Sequence, residues 1–330
     1  MNQIKSPLTV WLELTKKCNM RCIHCMVENE ETSLSFQDAE KIISMLHEAK
    51  VFKLYITGGE PLLWNQLPEL VGCAHSENIW TLVQTNGTLL TDSMAEKLVQ
   101  NHVGAIDITV YGINAKTHDY ITGSPGSFNK VLNAVQTCKQ HGIKVLLSFM
   151  VLSHNLDELP NFFKWAESRG LGLLHVRRYI ANSVEDPLRP LNPKFKESLT
   201  KSLDNLKSIN ANGEKVHVEF EESFLLHQSL GLNTCPAAHQ LCSIDVEGRI
   251  SPCPYIRYFG ENILEQNFED VWSNSKFLNQ FRRKRSPDIL CGTCLLQNEC
   301  TEGCRAVALR VHSSLTAPNP NCWITKVIRV

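Results

Sequence analysis

Apolar positions in the first half of the chain follow two alternating periods. Leu8 to Leu14 is a short, mostly apolar run, which reads as a buried strand. Ser35-Phe36-Gln37-Asp38 opens a helix, and Ala39, Ile42, Ile43 and Leu46 then recur at helical spacing. The same switch repeats down the chain. Strands are predicted over 51–56, 79–84, 105–110, 143–151 and 171–176. Between them, helices are predicted over 67–75, from Thr91 through Ala95, Leu98 and Val99, and over 128–139 with His141-Gly142 at the end. A last helix starts at Asn155 as its cap, runs through Leu159, Phe163 and Ala166, and stops near Gly170. Six strand–helix repeats predict an α/β fold with a parallel sheet and right-handed crossovers. Six are too few to close an eight-stranded barrel, so residues 1–180 are expected to form a partial (β/α)6 TIM-like barrel.

Beyond residue 180 the pattern weakens. Pro187, Pro190 and Pro193 mark residues 181–234 as a linker, with a helix from Asn192-Pro193 through Leu199, Leu203 and Leu206 and a strand-like Lys215–Phe220. Residues 235–330 read as a small cysteine-rich domain. Alternating apolar residues around Glu247-Gly248 predict a hairpin that brings Cys235 or Cys242 back towards Cys253.

Charge and length narrow the classes. The chain has 330 residues, 43% hydrophobic and 20% charged, with a formal net charge of −1. That balance gives no basic footprint for nucleic acid. The one basic run, Arg282-Arg283-Lys284-Arg285, reads as a solvated helix end. No apolar stretch is long enough to cross a membrane and no signal peptide is evident, so a cytoplasmic location is expected. Thirteen cysteines in a reducing compartment point to metal sites over disulfides.

Three of those cysteines, Cys18, Cys22 and Cys25, follow the first strand as Cys-x3-Cys-x2-Cys. A [4Fe–4S] cluster takes four protein thiolates, so three local ones leave one iron open to a ligand. Gly58-Gly59-Glu60 follows the second strand, where two glycines let backbone approach a ligand and the carboxylate can pair with an ammonium. Ligands of such sheets bind at the C-terminal strand ends, which also carry Thr85, Asn86, Thr109, Ser148, Asn155 and Arg177. Further on stand Cys235, Cys242 and Cys253, then Cys291-x2-Cys294-x5-Cys300-x3-Cys304, and Cys322. Zinc sites are the alternative for these cysteines.

The paired Cys-x3-Cys-x2-Cys and Gly-Gly-Glu resemble the radical S-adenosylmethionine (radical SAM) family. The later cysteines resemble its SPASM domain, which carries two auxiliary [4Fe–4S] clusters. The resemblance implies S-adenosylmethionine (SAM) on the open iron of the Cys18/Cys22/Cys25 cluster. Gly58, Gly59 and Glu60 would hold its amino group; the strand-end hydroxyls of Thr85, Thr109 and Ser148 are placed for its ribose or carboxylate and Arg177 for its carboxylate, with Asn86 and Asn155, a helix cap in any case, also expected beside it. His24 would meet the adenine through its backbone. It further implies Cys235, Cys242, Cys253 and Cys304 around auxiliary cluster I, with Cys242 the less regular member, and Cys291, Cys294, Cys300 and Cys322 around cluster II. Reductive cleavage of SAM would give a 5′-deoxyadenosyl radical that abstracts hydrogen from a substrate C–H.

The expected substrate is a ribosomally made peptide that is crosslinked, epimerised or oxidised. A small metabolite such as an antibiotic sugar is the alternative, and a catalytically inert zinc or cluster module the remote one. With 17 residues before Cys18, the N-terminal peptide-binding domain of many relatives is not expected, which weakens the peptide reading without removing it. An epimerase would need a hydrogen donor, for which Cys242, Cys73 and Cys138 are the candidates. The expected partner is a flavodoxin or ferredoxin electron donor, with no nucleic acid and no membrane.

Overall fold

The structure, a computed structural model, describes residues 4–183, 185–190, 192–211, 216–220, 235–282 and 304–317. Contacts divide the chain into two compact units: residues 1–110, 114–147 and 236–282, and residues 111–113, 148–235 and 283–330.

The first unit holds strands β1 (Thr9–Glu13), β2 (Lys53–Thr57), β3 (Trp80–Thr85) and β4 (Ala105–Val110), joined by helices α1 (Phe36–Glu48), α2 (Leu67–Ser76) and α3 (Asp92–Gln100). Each neighbouring pair is parallel, as the strand–helix alternation requires. Helix starts follow the caps: Ser35 Oγ accepts from Asp38 N at 3.0 Å and Thr91 Oγ1 from Met94 N at 3.2 Å. Two more helices, α4 (Ala115–Thr122) and α5 (Ser127–Gln140), precede β5 (Val145–Val151). Helix α4 has no counterpart in the sequence reading.

Register gives the sheet two unlike faces. Val10, Leu12, Leu54, Ile56, Val83, Ile106 and Ile108 form one face and are fully buried. Helix α5 covers this face, since Gly87 is wedged between Ala134 of α5 and Ile108. Trp11, Glu13, Tyr55, Thr57, Gln84, Asp107 and Thr109 alternate with them on the inner face. There Trp11 and Tyr55 stack at 4.4 Å, and Gln84 Nε2 donates to Asp107 Oδ2 at 3.3 Å.

The 236–282 segment adds strand β8 (Leu241–Ile244) in parallel to the free edge of β1, followed by β9 (Ile250–Ser251) in an antiparallel hairpin. The expected tight turn is there. Asp245 Oδ1 accepts from Glu247 N and Arg249 N at 3.0 and 2.8 Å, and Gly248 takes the left-handed φ of 80°. Helices α8 (Phe268–Asn274) and α9 (Lys276–Arg282) close the unit. Arg282 is not a solvated helix end: its Nε donates to Ala238 O at 2.7 Å and its guanidinium lies 4.5 Å from the Trp272 ring centre. The rest of the basic run lies outside the described residues.

In the second unit, β6 (Leu173–Arg178) follows α6 (Leu159–Glu167), and α7 (Asn192–Ala211) leads to β7 (His217–Phe220). Strand β7 pairs in parallel with β6, so the strand-like piece expected in the linker belongs to a sheet. No described helix is long and apolar enough to cross a membrane.

Candidate active site

The cysteine loop begins beyond the end of β1, and both backbone and side-chain bonds hold it. Thr15 Oγ1 accepts from Lys17 N at 3.1 Å. Asn29 clamps Cys18 from both sides, accepting from its N–H at 3.2 Å and donating to its carbonyl at 2.7 Å. Ile23 N donates to Ile121 O at 3.0 Å, which docks the loop on the end of α4. Gly123 caps that helix in the left-handed region, and a Cβ there would stand 2.8 Å from Arg21 O.

The three thiols line one cavity of about 320 Å³ together with Lys16, Met20, Arg21, Asn29 and Gly59. Burial pushes the Cys22 thiol up to about 12, helped by the neighbouring Cys25 and Cys18. Burial also raises Cys18. Two desolvated thiols beside an exposed third, Cys25, suit a bound cation, which would deprotonate them. Among the described residues no three His, Cys, Asp or Glu groups close on a single metal ion. Spread around the walls of a shared cavity, three soft sulfur donors fit an iron–sulfur cluster.

Gly58 and Gly59 serve the loop before they serve any ligand. Gly59 N donates to Thr15 O at 2.6 Å and Glu60 N to Lys17 O at 2.8 Å. Gly58 has φ +140°, and a Cβ on Gly59 would stand 2.2 Å from Lys17 O. The two glycines therefore let the end of β2 lie directly against the backbone that delivers Cys18.

Glu60 is fully buried behind them. Its Oε1 accepts from Leu62 N at 3.0 Å and Thr85 Oγ1 at 2.6 Å, and its Oε2 from Asn86 N at 2.8 Å. Desolvation pushes its pKa up to about 6, against the pull of these donors. Three donors leave one of the carboxylate's roughly four acceptor positions for an ammonium. Asn86 also donates to Asn19 Oδ1 at 2.9 Å, and Asn19 to Thr88 Oγ1 at 2.8 Å, so the end of β3 grips the cysteine loop.

The remaining expected residues divide by role. Thr85 is buried and its hydroxyl is committed to Glu60 and to Gly87 N at 2.9 Å, so it supports the carboxylate instead of facing a ribose. Thr109 lies on the inner face, one alternation beyond Asp107. His24 is held neutral by burial, its pKa lowered to about 4.

In the second unit, Ser148 is fully buried and its Oγ has no hydrogen-bond partner among the described residues. Asn155 stands at the start of a 3-10 turn, yet its side chain does not cap it. It accepts from Leu152 N at 2.8 Å and donates to Tyr111 O and Met150 O at 3.0 and 2.8 Å, which fastens the turn after β5. Arg177 Nε donates to His175 Nδ1 at 3.3 Å. Burial and then Arg177 lower the His175 pKa to about 3, which keeps it neutral and able to accept.

The later cysteines part company. None of the nine described cysteines is in a disulfide. Cys253 sits where the hairpin has left the ladder, and Cys235 and Cys304 are half-buried in the second unit. Cys242 lies inside β8 opposite Val10, 0% exposed, on the helix-covered face with Ile244. Its thiol is fully buried, and burial raises it against the pull of the Arg282 guanidinium. As hydrogen donors Cys242, Cys73 and Cys138 fare no better. Cys138 is fully buried in α5, and Cys73 of α2 points towards Glu40 of α1 at 3.7 Å. Cys291, Cys294, Cys300 and Cys322 lie outside the described residues.

Comparison with known proteins agrees with this chemistry. The radical SAM superfamily model matches residues 12–166, and the SPASM iron–sulfur cluster-binding domain matches residues 235–295. The AdoMet-dependent heme synthase of Methanosarcina barkeri is 26% identical over 341 residues, 96% of this chain and 96% of that protein. Mycofactocin maturase MftC of Mycolicibacterium smegmatis is 29% identical over 334 residues, 97% of this chain and 83% of that one. Among solved structures, Streptococcus suis SuiB bound to its precursor peptide SuiA shares the fold at a TM-score of 0.79 and 17% identity, over 98% of this chain and 77% of that one.

Proposed function

Because this chain belongs to the radical SAM enzymes with a C-terminal SPASM domain, we propose that it modifies a ribosomally made peptide by abstracting hydrogen from an unactivated C–H. When bound, the first cluster and SAM supply a 5′-deoxyadenosyl radical; the protein's own work is to hold and shield them. Cys18, Cys22 and Cys25 hold the cluster, and Glu60 takes the SAM ammonium in its remaining acceptor position. Gly58 and Gly59 keep that carboxylate against the loop. Thr109, Ser148 and Arg177 serve the ribose and carboxylate. Thr85, Asn86 and Asn155 act behind them as supports.

Cys235, Cys253 and Cys304 ligate auxiliary cluster I, with Cys242 left out, and Cys291, Cys294, Cys300 and Cys322 ligate cluster II. The electron comes from a flavodoxin or ferredoxin in the cytoplasm. The observation that carries the radical chemistry is the shared cavity of Cys18, Cys22, Cys25 and Gly59. The likeness to the mycofactocin maturase over 97% of the chain supports the peptide. Since Cys242, Cys73 and Cys138 all sit outside the inner face, an oxidation or crosslink is favoured over a thiol-quenched epimerisation.

A tetrapyrrole-like metabolite is the second reading, favoured by the end-to-end match to the heme synthase. Reconstituted protein, SAM and reductant are mixed with a precursor peptide encoded beside the gene, or with an iron coproporphyrin. A peptide-dependent rise in 5′-deoxyadenosine with a mass change on the peptide supports the first reading. A rise with the porphyrin alone overturns it in favour of the second.

A further inference from the structure

The end of β1 carries a charged contact that the motifs do not explain. Glu13 is five residues before Cys18, on the inner face, and its side chain is 6% exposed. A carboxylate so buried is costly without a partner. Its partner is Arg257, 244 residues later, which grips it with both guanidinium nitrogens: Nη1 on Oε1, and Nη2 on Oε2 at 3.1 Å. The geometry is a bidentate fork, the strongest form of such a pair. Phe259 backs the guanidinium, with its ring centre 5.0 Å away.

Both ends of this bridge lead to cysteines. On one side, Leu14 N donates to Thr57 O at 2.9 Å, and Thr15 receives Gly59 and turns the chain into Lys17 and Cys18. On the other, Arg257 follows Cys253 by four residues in a tight turn. Ile256 N donates to Cys253 O at 3.1 Å, and Ser251 Oγ donates to Ile256 O at 2.7 Å.

We propose that Arg257 is a positioning residue that couples the Cys253 segment to the Cys18 loop through Glu13, so that seating the auxiliary-cluster segment completes the SAM-binding geometry of the first cluster. The inference rests on the first cluster being the SAM site. Arg257 reaches no reacting atom; it acts on the strand end that presents the loop.

The test uses full-length, anaerobically reconstituted protein. The readouts are iron and sulfide content, SAM affinity, and the change that SAM makes in the electron paramagnetic resonance signal of the reduced protein. Only a cluster with an open iron responds to SAM directly. Arg257→Met is expected to keep wild-type iron and weaken SAM binding at least tenfold, with a diminished SAM-induced signal change. Arg257→Lys should recover part of both. Cys253→Ala should weaken SAM binding as Arg257→Met does, and the double variant should be no worse than either single. If Arg257→Met does not fold, Glu13→Gln/Arg257→Gln replaces it, keeping the contact without the charges; it should bind SAM nearly as the wild type does. Wild-type SAM affinity and signal change in Arg257→Met, or additive losses in the double variant, would overturn the coupling. A wild-type protein whose signal ignores SAM would instead sink the underlying reading of the first cluster.

Discussion

The cysteine loop and strand β8 use the same residue in opposite ways. Cys18, Cys22 and Cys25 stand where the chain has left the sheet, around a common cavity. Cys242 stands within a ladder, fully buried opposite Val10. In the loop, the Thr15 and Asn29 side chains take up backbone groups of Lys17 and Cys18, and Asn86 holds the Asn19 side chain. The thiols there are left pointing into shared space. In β8 the ladder satisfies the backbone and the thiol only fills volume. The cysteines that line the cavity are therefore those whose backbone has left the ladder.

Substitutions should divide the two regions. Replacing Cys18, Cys22 or Cys25 by Ala should abolish 5′-deoxyadenosine formation and lower iron from about twelve to about eight atoms per chain, by metal analysis. Cys242→Ala should leave iron unchanged and cost about 1–2 kcal/mol in a denaturant melt, the price of a small buried side chain. Loss of four irons in Cys242→Ala would break the comparison.

Next in size is Glu60, the buried post between the loop and β3. Glu60→Ala strands Leu62 N, Asn86 N and Thr85 Oγ1 and should destabilise the apoprotein by about 2–4 kcal/mol in the same melt, with Gln losing less. Gly59→Ala forces Lys17 O aside and should cost about 1–3 kcal/mol while weakening cluster retention.

The smallest effect is on pH. Burial raises Glu60 from 4.5 to about 6, so the fold holds its proton more tightly than the unfolded chain does. Its contribution to apoprotein stability is whole below pH 4.5 and fades as pH rises through about 6, by about 2 kcal/mol. SAM binding should run the other way, falling as pH drops through about 6 and the carboxylate loses its charge. Calorimetric titration checks both slopes, and Glu60→Gln should flatten both.

Sequence periodicity made the first strands and their helices legible, because apolar spacing and caps agreed. Helix α4 escaped since Lys116, Thr117 and Asp119 blur its apolar stripe. Its ends were nonetheless spelled out by Asn114, which accepts from Thr117 N at 3.0 Å, and by Gly123. The cysteine loop and Gly-Gly-Glu were legible as motifs, but the support role of Thr85 was not, since no local window shows that its hydroxyl meets Glu60. The same holds for β8 joining β1 and for Arg257 meeting Glu13. The last two join segments more than two hundred residues apart, and no spacing rule carries them.

The most direct test of the radical chemistry is to incubate the anaerobically reconstituted protein with SAM and dithionite and follow 5′-deoxyadenosine and methionine by mass spectrometry. Both products should form in the wild type in equal amounts and be absent from the Cys18/Cys22/Cys25→Ala triple variant. A wild-type protein that carries zinc without sulfide and leaves SAM intact would contradict the account.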